Sequence, residues 1–201
     1  KSCPYSALLI VLRGTIERLE CQFMSLISFK RSKRPVLKLE WTPLQTILAI
    51  AGLVGTGLML GILITYWPQL PAEIPTHFNF SGTPDSWGSK QSLFFLAGVG
   101  VILYVMMLIV SRFPHLYNYL VTITESNAEK QYRMAVTFML TMANIVIWMF
   151  AFIMWQTIRV ALGQSEGLGQ QFVYVILLAT LGTLVVYFIA SLRARDIPPR
   201  K

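Results

Sequence analysis

The sequence predicts an all-α, polytopic membrane protein with four transmembrane helices, both termini inside and one structured loop outside. Three observations carry that prediction. First, four long runs contain no charged residue: 41–72, 91–111, 134–158 and 167–192. About 20 predominantly apolar residues cross the roughly 30 Å of bilayer hydrocarbon, so each run suffices. Second, basic charge alternates. Lys and Arg number 8, 1, 3, 1 and 4 in the successive segments outside the runs, which is the positive-inside bias. Third, one connection, Leu70–Lys90 (LPAEIPTHFNFSGTPDSWGSK), concentrates prolines, glycines, aromatics and charges.

Composition agrees. Hydrophobic residues make up 55% and charged residues 13%, against about 25% charged in soluble domains. The net charge of +8 follows topology, and no soluble basic domain is present to hold nucleic acid. The expected partners are instead the lipid bilayer, whose anionic headgroups attract such segments, an extracellular peptide ligand, and a protein partner or second copy. The expected location is the plasma (inner) membrane of a bacterium, as a multi-pass protein. Cys3 and Cys21 precede the first span and form no disulfide framework or metal spacing.

Three regions follow: a basic cytoplasmic tail (1–40), a four-span domain (41–192) and a second basic tail (193–201). Within the first tail, the apolar run Tyr5–Leu12 is too short to span and is followed by no small-residue cleavage site. Met24 opens a stretch that reads as a natural start. Residues 1–23 are therefore read as an upstream extension or a poorly structured tail. Lys30, Arg31, Lys33, Arg34 and Lys38 read as a juxtamembrane topology anchor.

Span one is expected at 43–66, with Pro43 in the first turn, where its missing N–H costs nothing. Ala51 with Gly55, and Gly57 with Gly61, are spaced four apart, which aligns small residues for close helix approach. Tyr66 and Trp67 mark an interface. Span two is expected at 91–111. The next segment offers Ser126 with Glu129 at capping-box spacing, so the third helix is expected to start near Asn127, ahead of its span at 134–157. Asn144, mid-span, is expected to hydrogen-bond to a neighbouring helix or to line a ligand or ion path. A short loop with Gly163, Gly167 and Gly169 leads to span four at 171–192.

In the 70–90 loop, Pro75 and Pro84 restrict the backbone, Gly82 and Gly88 permit turns, and Thr83-Pro84-Asp85 is turn chemistry. The loop is expected to be folded, and to rest on the leaflet or cap the bundle. Ser89 is a candidate cap for span two. Lys90 lies at that helix's positive end, and is expected to reach headgroups or pair with Asp85 or Glu73. His77 admits three readings: a metal ligand, which lacks a second His or a Cys; a pH-sensitive or ligand-contacting group; or a hydrogen-bonded structural residue. No serine has a nucleophile context and no phosphate loop exists. The chain reads as non-enzymatic, with no cofactor or metal. Asn79-Phe80-Ser81 matches a glycosylation sequon.

The loop resembles the signature of a bacterial and archaeal membrane family, domain of unknown function 1648. Pro75, His77, Asn79, Gly82, Pro84, Asp85, Trp87, Gly88 and Lys90 carry the match. Asn118, Tyr119 and ITESNAEKQYR resemble the longer four-span members. The same domain type forms the N-terminal part of the sporulation-delay toxin immunity protein. The resemblance therefore implies sensing or neutralising an extracellular peptide, although that protein's second module has no counterpart here. Two other classes compete: a small transporter using Asn144 and the glycine-rich first span, and a structural partner of a membrane complex.

Overall fold

The structure is a computed structural model, and it describes residues 34–195. The readings made for residues 1–23, for Cys3 and Cys21, for Lys30, Arg31 and Lys33, and for the tail beyond Arg195 lie outside the described residues.

Four helices are long and apolar enough to cross a membrane. They are α1 (Pro43–Tyr66), α2 (Ser92–Val110), α3 (Ala128–Ala161) and α4 (Gln171–Arg193). Between α1 and α2 stand two short strands, β1 (Glu73–Phe78) and β2 (Pro84–Ser89). The predicted folded loop is thus a β-hairpin, added to an otherwise helical protein. Pro75 fits inside β1 because the ladder is irregular just beyond it, and Pro84 opens β2, positions that tolerate a missing N–H.

α1 starts where its local chemistry directs. Thr42 Oγ1 accepts from Gln45 N at 3.3 Å, and Gln45 Oε1 accepts from Thr42 N at 3.0 Å. This is a capping box with proline in the first turn, satisfying two backbone donors at once. α3 begins at Ala128, as the sequence predicts, but not through Ser126 and Glu129. Asn127 is the N-cap residue, and its amide instead ties the preceding turn, accepting from Thr124 N and donating to Thr122 O. At 34 residues and 1.5 Å per residue, α3 is about 50 Å long, well beyond the hydrocarbon thickness.

α3 is the axis of the molecule: α1, α2, α4 and β1 all pack against it. Its stripe Ala143, Ile147, Ala151, Met154 and Ile158 meets Met59 and Leu63 of α1, Leu93, Ala97 and Tyr104 of α2, and Leu70 and Ile74 at the base of the hairpin. Of the glycines expected to be close-packed, Gly55 is, and Gly52 and Gly100 join it. A Cβ on Gly52 would lie 2.3 Å from the Tyr104 ring, one on Gly55 3.1 Å from Trp148, and one on Gly100 3.0 Å from Phe150. Gly57 and Gly61 are exposed and face open space. Their four-residue spacing is right for packing, but their phase is wrong: the buried stripe of α1 runs through Ala49, Gly52, Gly55, Met59 and Leu63.

Polar side chains tie the helices inside this apolar frame. Asn144 Nδ2 donates to Leu48 O across the α1–α3 interface at 2.8 Å, and to Leu140 O of its own helix. Tyr104 OH donates to Ala49 O. Gln45 Nε2 reaches Arg133 O and Thr137 Oγ1. At the same end Gln131 and Ser191 exchange two buried bonds between α3 and α4. Unpaired polar groups are costly in hydrocarbon, and among the described residues every buried side-chain N or O has a partner.

The connection from α2 to α3 folds back on itself at the same end. Tyr119 is buried beside Tyr132 and donates to Pro114 O, while Tyr117 donates to Val110 O. Burial, and secondarily the nearby Tyr187, hold the Tyr117 phenol well above its ordinary pKa, so it remains a donor.

Candidate functional site

The hairpin is built from its turn outward. Asn79 and Thr83 close it with a double clasp. The backbone N of Asn79 donates to Thr83 O, the Asn79 amide donates to Thr83 Oγ1 at 2.6 Å, and Asn79 Oδ1 accepts from Thr83 N at 3.1 Å. Gly82 takes φ +79°, a conformation costly for any residue with a Cβ. β1 and β2 then pair antiparallel, with Ile74 opposite Gly88, Pro75 opposite Trp87 and His77 opposite Ser86. Irregularities on both sides of His77 add twist where that side chain projects. A Cβ on Gly88 would sit 3.1 Å from the Thr76 methyl.

Both ends of the hairpin are held. At its base, Leu70, Ile74 and Pro75 are buried, and Leu70 and Ile74 enter the main core. At its tip, Leu168 N donates to Gly82 O at 2.8 Å. The connection between α3 and α4 therefore docks on the turn. A Cβ on Gly167 would lie 2.0 Å from Gly82 O, and one on Gly82 3.0 Å from the Gly169 backbone. Gln156 Nε2 and Ser165 Oγ both donate to Gly167 O, fixing the receiving loop. Phe80 meets Tyr174 of α4 edge to face.

Lys90 departs from expectation in an informative way. Its Nζ donates to Leu70 O at 3.2 Å and Trp67 O at 3.4 Å, and lies 4.7 Å from the centre of the Trp67 ring. It pairs with neither Asp85 nor Glu73 there. Its position ahead of α2 is unfavourable for a cation, but carbonyls just past the C-terminus of α1 offer a favourable one. Lys90 thus links the end of one span to the start of the next. Ser89 is not the residue capping α2, which is preceded by Gln91; its Oγ accepts from Gln91 N at 3.4 Å.

The outward side carries the chemistry. His77 Nδ1 and Asp85 Oδ1 lie 2.5 Å apart, with side chains 68% and 42% exposed. Beside them Thr76 and Ser86 hydroxyls meet at 3.4 Å. The arrangement offers one exposed hydrogen-bonded acid–imidazole pair, with Trp87 and Phe80 exposed on the same hairpin. His77 and Asp85 are brought together; Pro75, Asn79, Gly82, Pro84 and Gly88 shape the frame; Lys90 braces its base; Gly57, Gly61 and Asn144 lie away in the spans. Among the described residues no three ligating side chains gather to hold a metal ion.

The sequence names Thr83, Trp67 and Gly167 without their partners, and Leu168 carries no signal of its own. Thr83 is in reach of Asn79 by spacing, and the glycines after α3 are a visible signal of close backbone approach. The pairing of the two loops has no local signature.

The family match falls on this same region. A protein of Archaeoglobus fulgidus, described as "Uncharacterized protein", is 42% identical over 50 residues, covering 25% of this chain and 27% of the relative. The chain thus matches about a quarter of that relative's length. No solved structure matches. Residues 54–101, from mid-α1 through the hairpin to mid-α2, match the family described as "Domain of unknown function (DUF1648)".

Proposed function

We propose that this non-enzymatic multi-pass protein senses or neutralises an extracellular peptide or envelope ligand through the exposed side of its hairpin. One observation carries the reading. The hairpin is fastened at base and tip, yet His77, Asp85 and Trp87 are left exposed on it. A loop that only joins two spans has no need of a second loop docked on its turn. Preorganised side chains lose less entropy on binding, and an exposed tryptophan together with a hydrogen-bonded acid–imidazole pair suits recognition of an amphipathic segment.

The reading places the protein in a bacterial plasma membrane, with both termini inside and the hairpin outside. The alternation of Lys and Arg supports that topology. A cysteine at Ser81, labelled from outside intact cells by a membrane-impermeant maleimide in a background lacking Cys3 and Cys21, is the check. Labelling only after lysis overturns it.

The transporter reading draws on Asn144, but both bonds from its amide nitrogen go to backbone carbonyls, which supports packing. The test of the leading reading is complementation of a deletion strain. His77→Ala, Asp85→Ala and Trp87→Ala are expected to abolish the phenotype at unchanged membrane levels. Full complementation by all three rejects a recognition role for this surface.

A further inference from the structure

Away from the hairpin, a groove of about 680 Å³ runs between α3 and α4, bordered by the start of α1. Its volume falls in the roughly 300–1,000 Å³ range of small-molecule sites. Thr137 and Phe138 of α3, and Ala179 and Gly182 of α4, line its length; Gln45 of α1 borders it, and Arg133 stands at one end. The threonine hydroxyls along it are turned to backbone: Thr137 donates to Arg133 O, Thr141 to Thr137 O and Thr183 to Ala179 O. Most of the wall is apolar, and it lies along helices that cross a bilayer.

The end at Arg133 is different. The guanidinium is partly exposed, and its Nε donates to Glu129 at 2.9 Å and its Nη1 to Glu40 O at 3.3 Å. A guanidinium has further donors beyond these bonds. Glu129 offsets part of its charge, but this end of the bundle remains basic. Lys38, Arg112, Lys130, Arg193 and Arg195 lie in its terminal segments, against Glu40, Glu125 and Glu129. A groove with a cation at one end and an apolar length matches an amphiphile with an anionic head. Basic pockets between transmembrane helices recognise such headgroups.

We propose that this groove is a binding site for an anionic phospholipid, with the phosphate at Arg133 and an acyl chain along Phe138, Ala179 and Gly182. The occupant bridges α4 to the rest of the bundle, where α4 itself buries only Ser191.

The test uses the full chain purified in mild detergent and titrated with phosphatidylglycerol or phosphatidylcholine of identical chains, with bound lipid read by native mass spectrometry. Phosphatidylglycerol is expected to be retained about tenfold more, the scale of one charge-assisted hydrogen bond. Arg133→Gln is expected to erase the preference, while Arg133→Lys preserves it, separating charge from folding damage. A Cβ at Gly182 meets no atom within 4 Å, so Gly182→Leu fills the groove and lowers retention of both lipids. Equal retention of the two lipids by the native protein overturns the proposal, as does an undiminished preference in Arg133→Gln. A stoichiometric dimer that Gly182→Leu dissolves overturns it too, by assigning the groove to a second copy.

Discussion

The hairpin and α4 invert what their compositions would mean in water. The hairpin is short and rich in polar residues, prolines and glycines, yet it buries Leu70, Ile74, Pro75 and Gly82 and is fastened at both ends. α4 is long and apolar enough to cross a membrane, yet of its residues only Ser191 is buried. The solvent explains the difference. In hydrocarbon an apolar side chain gains little by leaving lipid for protein, so hydrophobicity marks span and not core. At the bundle end there is no uniform solvent of either kind, and every backbone group must be paired. The hairpin therefore places a fully buried apolar side chain, Ile74, in the main core, and α4 places none there.

That contrast can be broken by substitution, measured as unfolding of the purified protein in mixed detergent. Ile74→Ala removes a fully buried side chain and is expected to cost about 2–5 kcal/mol, in the range of core truncations. Gly167→Ala pushes a methyl into Gly82 O, and is expected to cost about 1–3 kcal/mol, as overpacking does. It should also free the hairpin tip, seen as faster amide exchange at Gly82 and Leu168. Asn144→Leu loses the α1–α3 bond and is expected to cost about 0.5–2 kcal/mol, the span of interhelical bonds in membranes. Leu178→Ala on exposed α4 is expected to stay within about 0.5 kcal/mol. If Leu178→Ala costs as much as Ile74→Ala, α4 is held as firmly as the hairpin and the contrast fails.

Another small expected effect sharpens the functional side. A double-mutant cycle on His77 and Asp85 is expected to give a coupling of about 0–1 kcal/mol, the range of solvent-exposed polar pairs. The same variants are expected to abolish ligand-dependent phenotype. A small stability coupling with a large functional loss separates recognition from scaffold.

Much of this was legible in the chain. The spans follow from charge-free runs, the first helix's start from Pro43, and the early start of α3 from its polar approach. The capping box of Thr42 and Gln45 was also readable from spacing. The phase of the α1 glycines was not. Every third or fourth residue of α1 is apolar or small, so periodicity does not say which stripe meets Tyr104 and Trp148 and which meets lipid. Lys90 was misjudged for a related reason. Its neighbours in sequence are β2 and α2, but its acceptors, Trp67 and Leu70, end the previous helix.

By itself the sequence determined the environment, the number of spans and the place of chemical interest, because these depend on segment composition and local turn chemistry. Tertiary structure alone decided which glycines are close-packed, that the loop after α3 docks on the hairpin turn, and that His77 meets Asp85. Those outcomes depend on atoms brought together from distant positions, with Gly82 and Gly167 at the closest approach, and no local pattern in the chain encodes that meeting.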